Sequence, residues 1–142
     1  MAEFFFTLIT VLPLPIWLSM MLFPKTRFTE KMVLSYWPFI GAGALHALLL
    51  LAALAIGDVS LELSFNALRS SFSSPWGVAL VWLHLLALNL FAGVWIFRDA
   101  KYWGIKPLPF LLPMLLVGPA GLAAYLYMRQ RRSKTDPIRM MN

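Results

Sequence analysis

The sequence predicts an all-α integral membrane protein, a four-helix transmembrane bundle with a short interfacial helix between the second and third spans. Three observations carry that expectation. The chain of 142 residues is 61% apolar and only 13% charged, far from the make-up of a soluble domain. Four apolar runs, residues 4–23, 33–57, 76–97 and 108–128, each approach or exceed the roughly 20 residues that cross about 30 Å of hydrocarbon as a helix. They barely show the polar stripe that a helix on a soluble core carries. The spans fill residues 1–132 as a single transmembrane domain and leave 133–142 as a basic, polar tail.

Composition sets further bounds. The chain holds no cysteine, which excludes disulfides, thiolate metal sites and thioether-linked haem. An acid, Glu3, stands where a secretory signal carries basic residues, and no small-residue cleavage pattern follows the first run. The first span is therefore expected to be retained. With no Arg- and Ser-rich transit segment before it, direct insertion into a bacterial inner membrane is the simplest expectation. The formal net charge of +6 does not make nucleic acid a partner. Arg129, Arg131, Arg132, Lys134 and Arg139 all follow the fourth run, a juxtamembrane placing that favours anionic lipid. The tail lacks the base-stacking aromatics of a phosphate-reading surface. With four crossings, six Lys and Arg fall on each side of the membrane, so the positive-inside rule is balanced. The dense tail tips the expectation towards both termini in the cytoplasm.

Each element has its own signals. In the first span, Pro13 and Pro15 lie near the middle and predict a bend, with the carbonyls of Ile9 and Val11 freed of helical partners. In the second, Ser35, Phe39, Ala42, Gly43, Ala53 and Gly57 lie at helical spacing from His46. Small residues there predict close helix approach and an inward His46. In the connector that follows, Leu61, Phe65, Leu68 and Phe72 form an apolar stripe, with Glu62, Asn66, Arg69 and Ser73 off it. That is the pattern of a short amphipathic helix lying in the interface plane. Ser73, Ser74 and Pro75 then cap the third span, proline being tolerated in the first turn. Trp37, Trp76, Trp95, Tyr102 and Trp103 suit interfacial anchoring. In the fourth span, Pro113 and the Gly118, Pro119, Ala120, Gly121 break predict a second bend and free the carbonyl of Leu115. Such bends are either packing kinks or the walls of a polar pocket.

The third span carries the polar groups of interest. A charge in hydrocarbon costs about 2.5–3.5 kcal/mol on insertion scales, so polar side chains there need partners or a purpose. At 100° per residue His84 shares its side with Leu88, Phe91, Trp95 and Arg98, and Asn89 falls about 140° away. Both border an expected inward arc centred on Leu85, Ala92 and Asp99. Arg98 and Asp99 either terminate the helix or ligate the polar end of an amphipathic ligand. Counted from their shared loop, His46 and His84 lie within roughly 4–5 Å of the same depth. That raises bis-histidine haem as a less favoured alternative. Two histidines without a nearby carboxylate are too few for a metal-only site, and no other cofactor is indicated.

Phe72, Ser73 and Ser74, then Trp82-x-His84-Leu85, then Leu90, Phe91 and Ala92, then Asp99, and finally Gly118-Pro119-x-Gly121 follow one another in an order and spacing that resemble the ABA4-like (abscisic-acid-deficient-4-like) membrane protein family. Leu12, Pro13 and Trp17, with the Pro24 that closes the first span, are similar to the family's opening. The resemblance spans most of the chain, and its specific part covers residues 72–129. It implies a small four-helix membrane protein of carotenoid and xanthophyll metabolism. Plant members are required for forming neoxanthin from violaxanthin in plastids, a requirement better secured than direct catalysis. The family's aspartate five residues after the third-span histidine is Asn89 here. Asparagine keeps shape and hydrogen bonding, and it cannot act as a general base near neutral pH.

Under this resemblance the expected function is carotenoid isomerisation, ring or epoxide modification, or carotenoid binding, with catalysis itself left open. His84 is the central acid–base group, with Asn89 as the accompanying catalytic position. Arg98, Asp99, Trp95 and His46 are the ligand-binding candidates. The alternative is a non-enzymatic accessory or structural subunit of a membrane complex. Expected partners are the lipid bilayer, a carotenoid ligand, and a membrane-protein partner or second copy of the chain.

Overall fold

Prolines and glycines punctuate the apolar runs into more helices than the spans alone suggest. A computed structural model describes residues 2–135; Arg139 and the end of the expected tail lie outside the described residues. The elements are α1 (Ala2–Val11), α2 (Leu14–Leu22), α3 (Arg27–Leu34), α4 (Trp37–Ala55), α5 (Phe65–Ser73), α6 (Pro75–Trp103), α7 (Leu108–Val117) and α8 (Pro119–Thr135). Three stretches are long and apolar enough to cross a membrane: Glu3–Leu22, Trp37–Ala55 and Pro75–Trp103. The described residues pack as two compact units. One takes the chain up to Leu14 with Ser35–Leu88, and the other takes Pro15–Leu34 with the chain from Asn89 onward.

In the first unit α1 lies alongside the first half of α6. The Trp82 indole Nε1 donates to Thr10 Oγ1 at 2.7 Å, and Phe6 stacks on the same indole with centroids 5.5 Å apart. Phe5 meets Trp76 one turn earlier, at 5.9 Å, so the two helices run parallel. Helix α5 forms where the amphipathic stripe predicts one. Ser64 caps it by accepting from the Ala67 N–H, and α6 starts one residue after it ends. The expected cap of α6 is present: Ser74 Oγ accepts from the Gly77 N–H at 2.9 Å. A Cβ at Gly77 would lie 1.8 Å from the Ser71 carbonyl oxygen, so only glycine lets α5 and α6 turn this tightly. The stripe residues Leu61, Phe65, Leu68 and Phe72 are all exposed, and the residue α5 buries is Ser71.

Helix α4 departs from expectation. The second apolar run does not form one helix from residue 33. It is broken at Ser35 and Tyr36, because Pro38 has no N–H to bond the Leu34 carbonyl. The small-residue face proposed for close packing is open: a Cβ at Gly41 or Gly43 would meet nothing within 4 Å. Ala53 is the buried residue of α4.

The second unit holds most of the buried side chains, with Trp17, Met20, Ile96, Phe97, Leu111 and Tyr125 at its centre. Trp17 of α2 lies on Gly93 of α6, where a Cβ would fall 2.3 Å from the indole Cη2. Helix α3 is an element that hydropathy missed. Thr26 caps it, and the buried Thr29 hydroxyl sits against the Phe23 and Ser19 carbonyls at 2.7 and 3.1 Å, tying α3 to the end of α2.

The fourth apolar run is not a crossing. Phe110 and Tyr125 lie fifteen residues apart in sequence, about 22 Å along a straight helix, yet their rings are 5.5 Å apart. A Cβ at Gly121 would fall 2.3 Å from the Met114 nitrogen. The chain therefore reverses at Gly118, whose φ of +54° glycine adopts without strain, and α7 and α8 form a helical hairpin. Its turn touches Asn89, the middle residue of α6, while Tyr125 and Arg129 reach Asp99 further along. Helix α8 thus runs parallel to the second half of α6, from the middle of that helix towards its end. The sequence expectation of a fourth spanning helix at 108–128 is corrected here. Pro113 and the Gly118–Pro119 pair do not bend one helix; they divide it into two that pack on each other.

Candidate functional site

Two polar groupings emerge, one in each unit. In the first, His46 of α4 and His84 of α6 face one another with ring centroids 5.6 Å apart and planes at 48°. The equal depth expected of the two histidines leads to this contact. Their setting differs from expectation: His84 is exposed and His46 half-buried, rather than both being turned into the protein. Leu85, expected at the centre of the inward arc, is exposed as well, and α6 buries Ala79, Leu80 and Leu83 in this unit instead. An almost uniformly apolar helix has no polar stripe to mark its buried side, which is why the arc was misplaced. The face around the imidazoles is apolar, with Leu48, Leu51, Leu85 and Leu88 all exposed. Among the described residues neither imidazole has another hydrogen-bond partner, and no group of three or more metal-ligating side chains forms. Each imidazole offers one donor and one acceptor nitrogen when neutral, so the pair can pass or hold a proton.

The second grouping is centred on Asp99. Its Oδ2 accepts from the Tyr125 hydroxyl and from Arg129 Nε, the latter at 2.7 Å. The Tyr125 side chain is fully buried, with its ring edge-on to Trp95 at 5.6 Å and tilted against Phe110. Arg129 also lies over the buried Trp103 ring, 5.2 Å from its centroid. A buried phenol hydroxyl needs an acceptor and a carboxylate among apolar groups needs a cation, and this cluster supplies both. Of the ligand-binding candidates, Asp99 and Trp95 are brought together by Tyr125. Arg98 is exposed and takes no part. Sequence reasoning missed Tyr125 and Arg129. It placed Arg129 against lipid headgroups, because a straight fourth helix would carry it away from Asp99. The Gly118–Pro119 break was the available signal.

Asn89 has a different neighbour. Its amide oxygen lies 2.8 Å from where a Gly118 Cβ would be, so it is seated against the turn of the α7–α8 hairpin.

Comparison with known proteins gives one consistent result. The family model described as ABA DEFICIENT 4-like matches residues 4–125. Protein ABA DEFICIENT 4, chloroplastic, from Arabidopsis thaliana is 27% identical over 123 residues, covering 82% of this chain and 56% of that relative. The chain thus spans little more than half the length of the relative it matches. No solved structure matches it.

Proposed function

The chain belongs to the ABA4-like family, and from that premise we propose that it is a membrane protein of carotenoid or xanthophyll metabolism, acting on or binding a polyene at the His46–His84 pair. One observation carries the reading: two imidazoles touch each other on an exposed apolar face, with no other described hydrogen-bond partner. A hydrophobic substrate dissolved in the bilayer would reach such a face laterally. His84, the more exposed ring, is the acid–base group of the proposal, donating a proton to or withdrawing one from an oxygenated ring or its allylic carbon. His46 stabilises the charge that forms on His84 or shares its proton. Asn89, in the position of the family aspartate, serves as a positioning residue through the hairpin turn. The Asp99–Tyr125–Arg129 cluster supports the reading in a second way, as a polar group in apolar surroundings where a ligand's oxygenated end finds hydrogen bonds.

Replacing His84 with alanine in a carotenoid-producing host tests this directly. The expected result is a changed isomer or oxygenated-carotenoid profile with the protein level maintained. An unchanged profile from a protein that retains no pigment on purification sinks the proposal. Fractionation of the native host assigns the compartment, either the bacterial inner membrane of the sequence expectation or a plastid membrane like that of the Arabidopsis relative.

A second reading has its own support. Helix α4 leaves nearly its whole apolar surface open, including Gly41, Gly43 and Leu48. A non-enzymatic accessory subunit would cover that surface with a partner helix. Native mass in mild detergent separates the two readings: a stable hetero-complex supports the accessory role, and a lone chain with bound pigment supports the carotenoid role.

A further inference from the structure

The first unit contains a cleft at the start of α1 and α6, well apart in sequence from the histidine pair. Its volume is about 390 Å³, within the roughly 300–1,000 Å³ of ligand pockets. Phe6, Pro75 and Val78 give it apolar walls, and Glu3, Thr7, Ser73 and Ser74 give it a polar end. The hydrogen-bond chemistry of that end is one-sided. The Thr7 hydroxyl donates to the Glu3 carbonyl at 3.0 Å and the Ser73 hydroxyl to the Arg69 carbonyl at 2.9 Å. The Ser74 hydroxyl donates to the Ser71 carbonyl at 3.2 Å while accepting from the Gly77 N–H. Every hydroxyl proton in the cleft is therefore committed to backbone. What remains on offer is lone pairs, together with the Glu3 carboxylate, which forms no ion pair with a described residue. A cleft made only of acceptors selects a donor, and its apolar walls select a donor carried on an apolar body.

We propose that this cleft is a binding subsite for the hydroxyl-bearing cyclic end of a membrane-dissolved polyene, with Glu3 accepting the hydroxyl proton. The inference rests on the carotenoid reading above and adds a specificity to it: the hydroxylated end group is preferred over the bare hydrocarbon ring. Serines 73 and 74 then do two tasks. They cap and brace the start of α6, and their lone pairs line the mouth of the subsite. Glu3 lies in the first turn of α1, where a carboxylate also suits the helix dipole, so its placement costs the fold little.

The test uses the full chain in phosphatidylcholine nanodiscs, titrated with zeaxanthin and with β-carotene, which differ only in the two ring hydroxyls. Binding is read from the absorption shift and induced circular dichroism of the polyene. Wild-type protein is expected to bind zeaxanthin about tenfold more tightly, the scale of one hydrogen bond to a charged acceptor. Glu3→Ala is expected to reduce that preference to within about twofold with β-carotene binding unchanged. Thr7→Val, which removes a neutral acceptor, is expected to have a smaller effect in the same direction. Equal affinity for the two polyenes in wild type, or an undiminished preference in Glu3→Ala, overturns the subsite and leaves the carotenoid reading standing. Binding of neither polyene overturns both. A preference that vanishes when phosphatidylethanolamine replaces phosphatidylcholine assigns the cleft to a lipid ammonium head and overturns the polyene assignment.

Discussion

Asp99 illustrates how a charged side chain is made tolerable in an apolar helix. Its carboxylate takes the Tyr125 hydroxyl and Arg129 Nε on one oxygen, and Arg129 in turn lies over the Trp103 ring. The arginine side chain is 38% exposed against 16% for the aspartate, so solvent and headgroups screen the pair and its net Coulombic value is about 1 kcal/mol or less. The tyrosine raises the stakes, since a fully buried hydroxyl left without an acceptor costs about 1–3 kcal/mol. Asp99→Ala should therefore destabilise the protein more than Asp99→Asn, which keeps an acceptor for Tyr125. A double-mutant cycle of Asp99→Asn with Arg129→Gln, read by thermal unfolding in detergent, should return a coupling of about 1 kcal/mol. Equal losses for Asp99→Ala and Asp99→Asn would show that the phenol does not depend on the carboxyl group. Nothing in the local sequence pairs residues 99, 125 and 129. Their meeting was unreadable because it follows from a chain reversal, whereas the contact of His46 with His84 followed from counting residues back to a shared loop.

At the scale of helices, approach distance is set by glycine where side chains are large. The Trp17 indole occupies the space that a Gly93 Cβ would need, at 2.3 Å from Cη2 and 2.8 Å from Cζ3, and a buried indole has little freedom to withdraw. Gly93→Ala should destabilise the second unit by about 1–3 kcal/mol through overpacking, despite the better helix propensity of alanine. Gly43→Ala serves as the comparison, since nothing lies within 4 Å of its Cβ position. A lowered melting temperature for the first variant and an unchanged or raised one for the second is the expected pattern. Element existence was largely legible in the sequence. The apolar runs marked the long helices, the amphipathic stripe marked α5, and Ser74 with Pro75 marked the start of α6. Which side of each helix would be buried was not legible, because a run that is apolar all round carries no period. Helix α3 escaped notice for a related reason: its mixed residues read as a connector, and the Thr26 and Thr29 hydroxyls that secure it leave no mark in hydropathy.

For the whole molecule, the hairpin changes the count of crossings and with it the charge balance. Three helices have spanning length, and α8 returns alongside α6 towards the side from which α7 set out. Arg69 then stands as the sole Lys or Arg on the side of the amino terminus and the 58–74 connector, and the other eleven of the chain's twelve fall on the opposite side. Four crossings had divided them evenly. The positive-inside rule now assigns the basic side to the cytoplasm, with the α5 connector facing away from it. Because the chain has no cysteine of its own, single replacements report cleanly. With a membrane-impermeant maleimide on intact cells, Ser60→Cys should label and Gln130→Cys should remain protected until the membrane is opened. Labelling of both alike would restore the four-crossing arrangement. The turn at Gly118 also has a consequence for the bilayer itself. Ending beside Asn89 at the midpoint of α6, it stops where the two leaflets meet, so acyl chains of the far leaflet terminate on a peptide turn instead of on opposing methyl groups. Chain length in that leaflet becomes a variable to which this protein is sensitive, with thinner membranes bringing headgroups and water closer to the exposed carbonyls of the reversal.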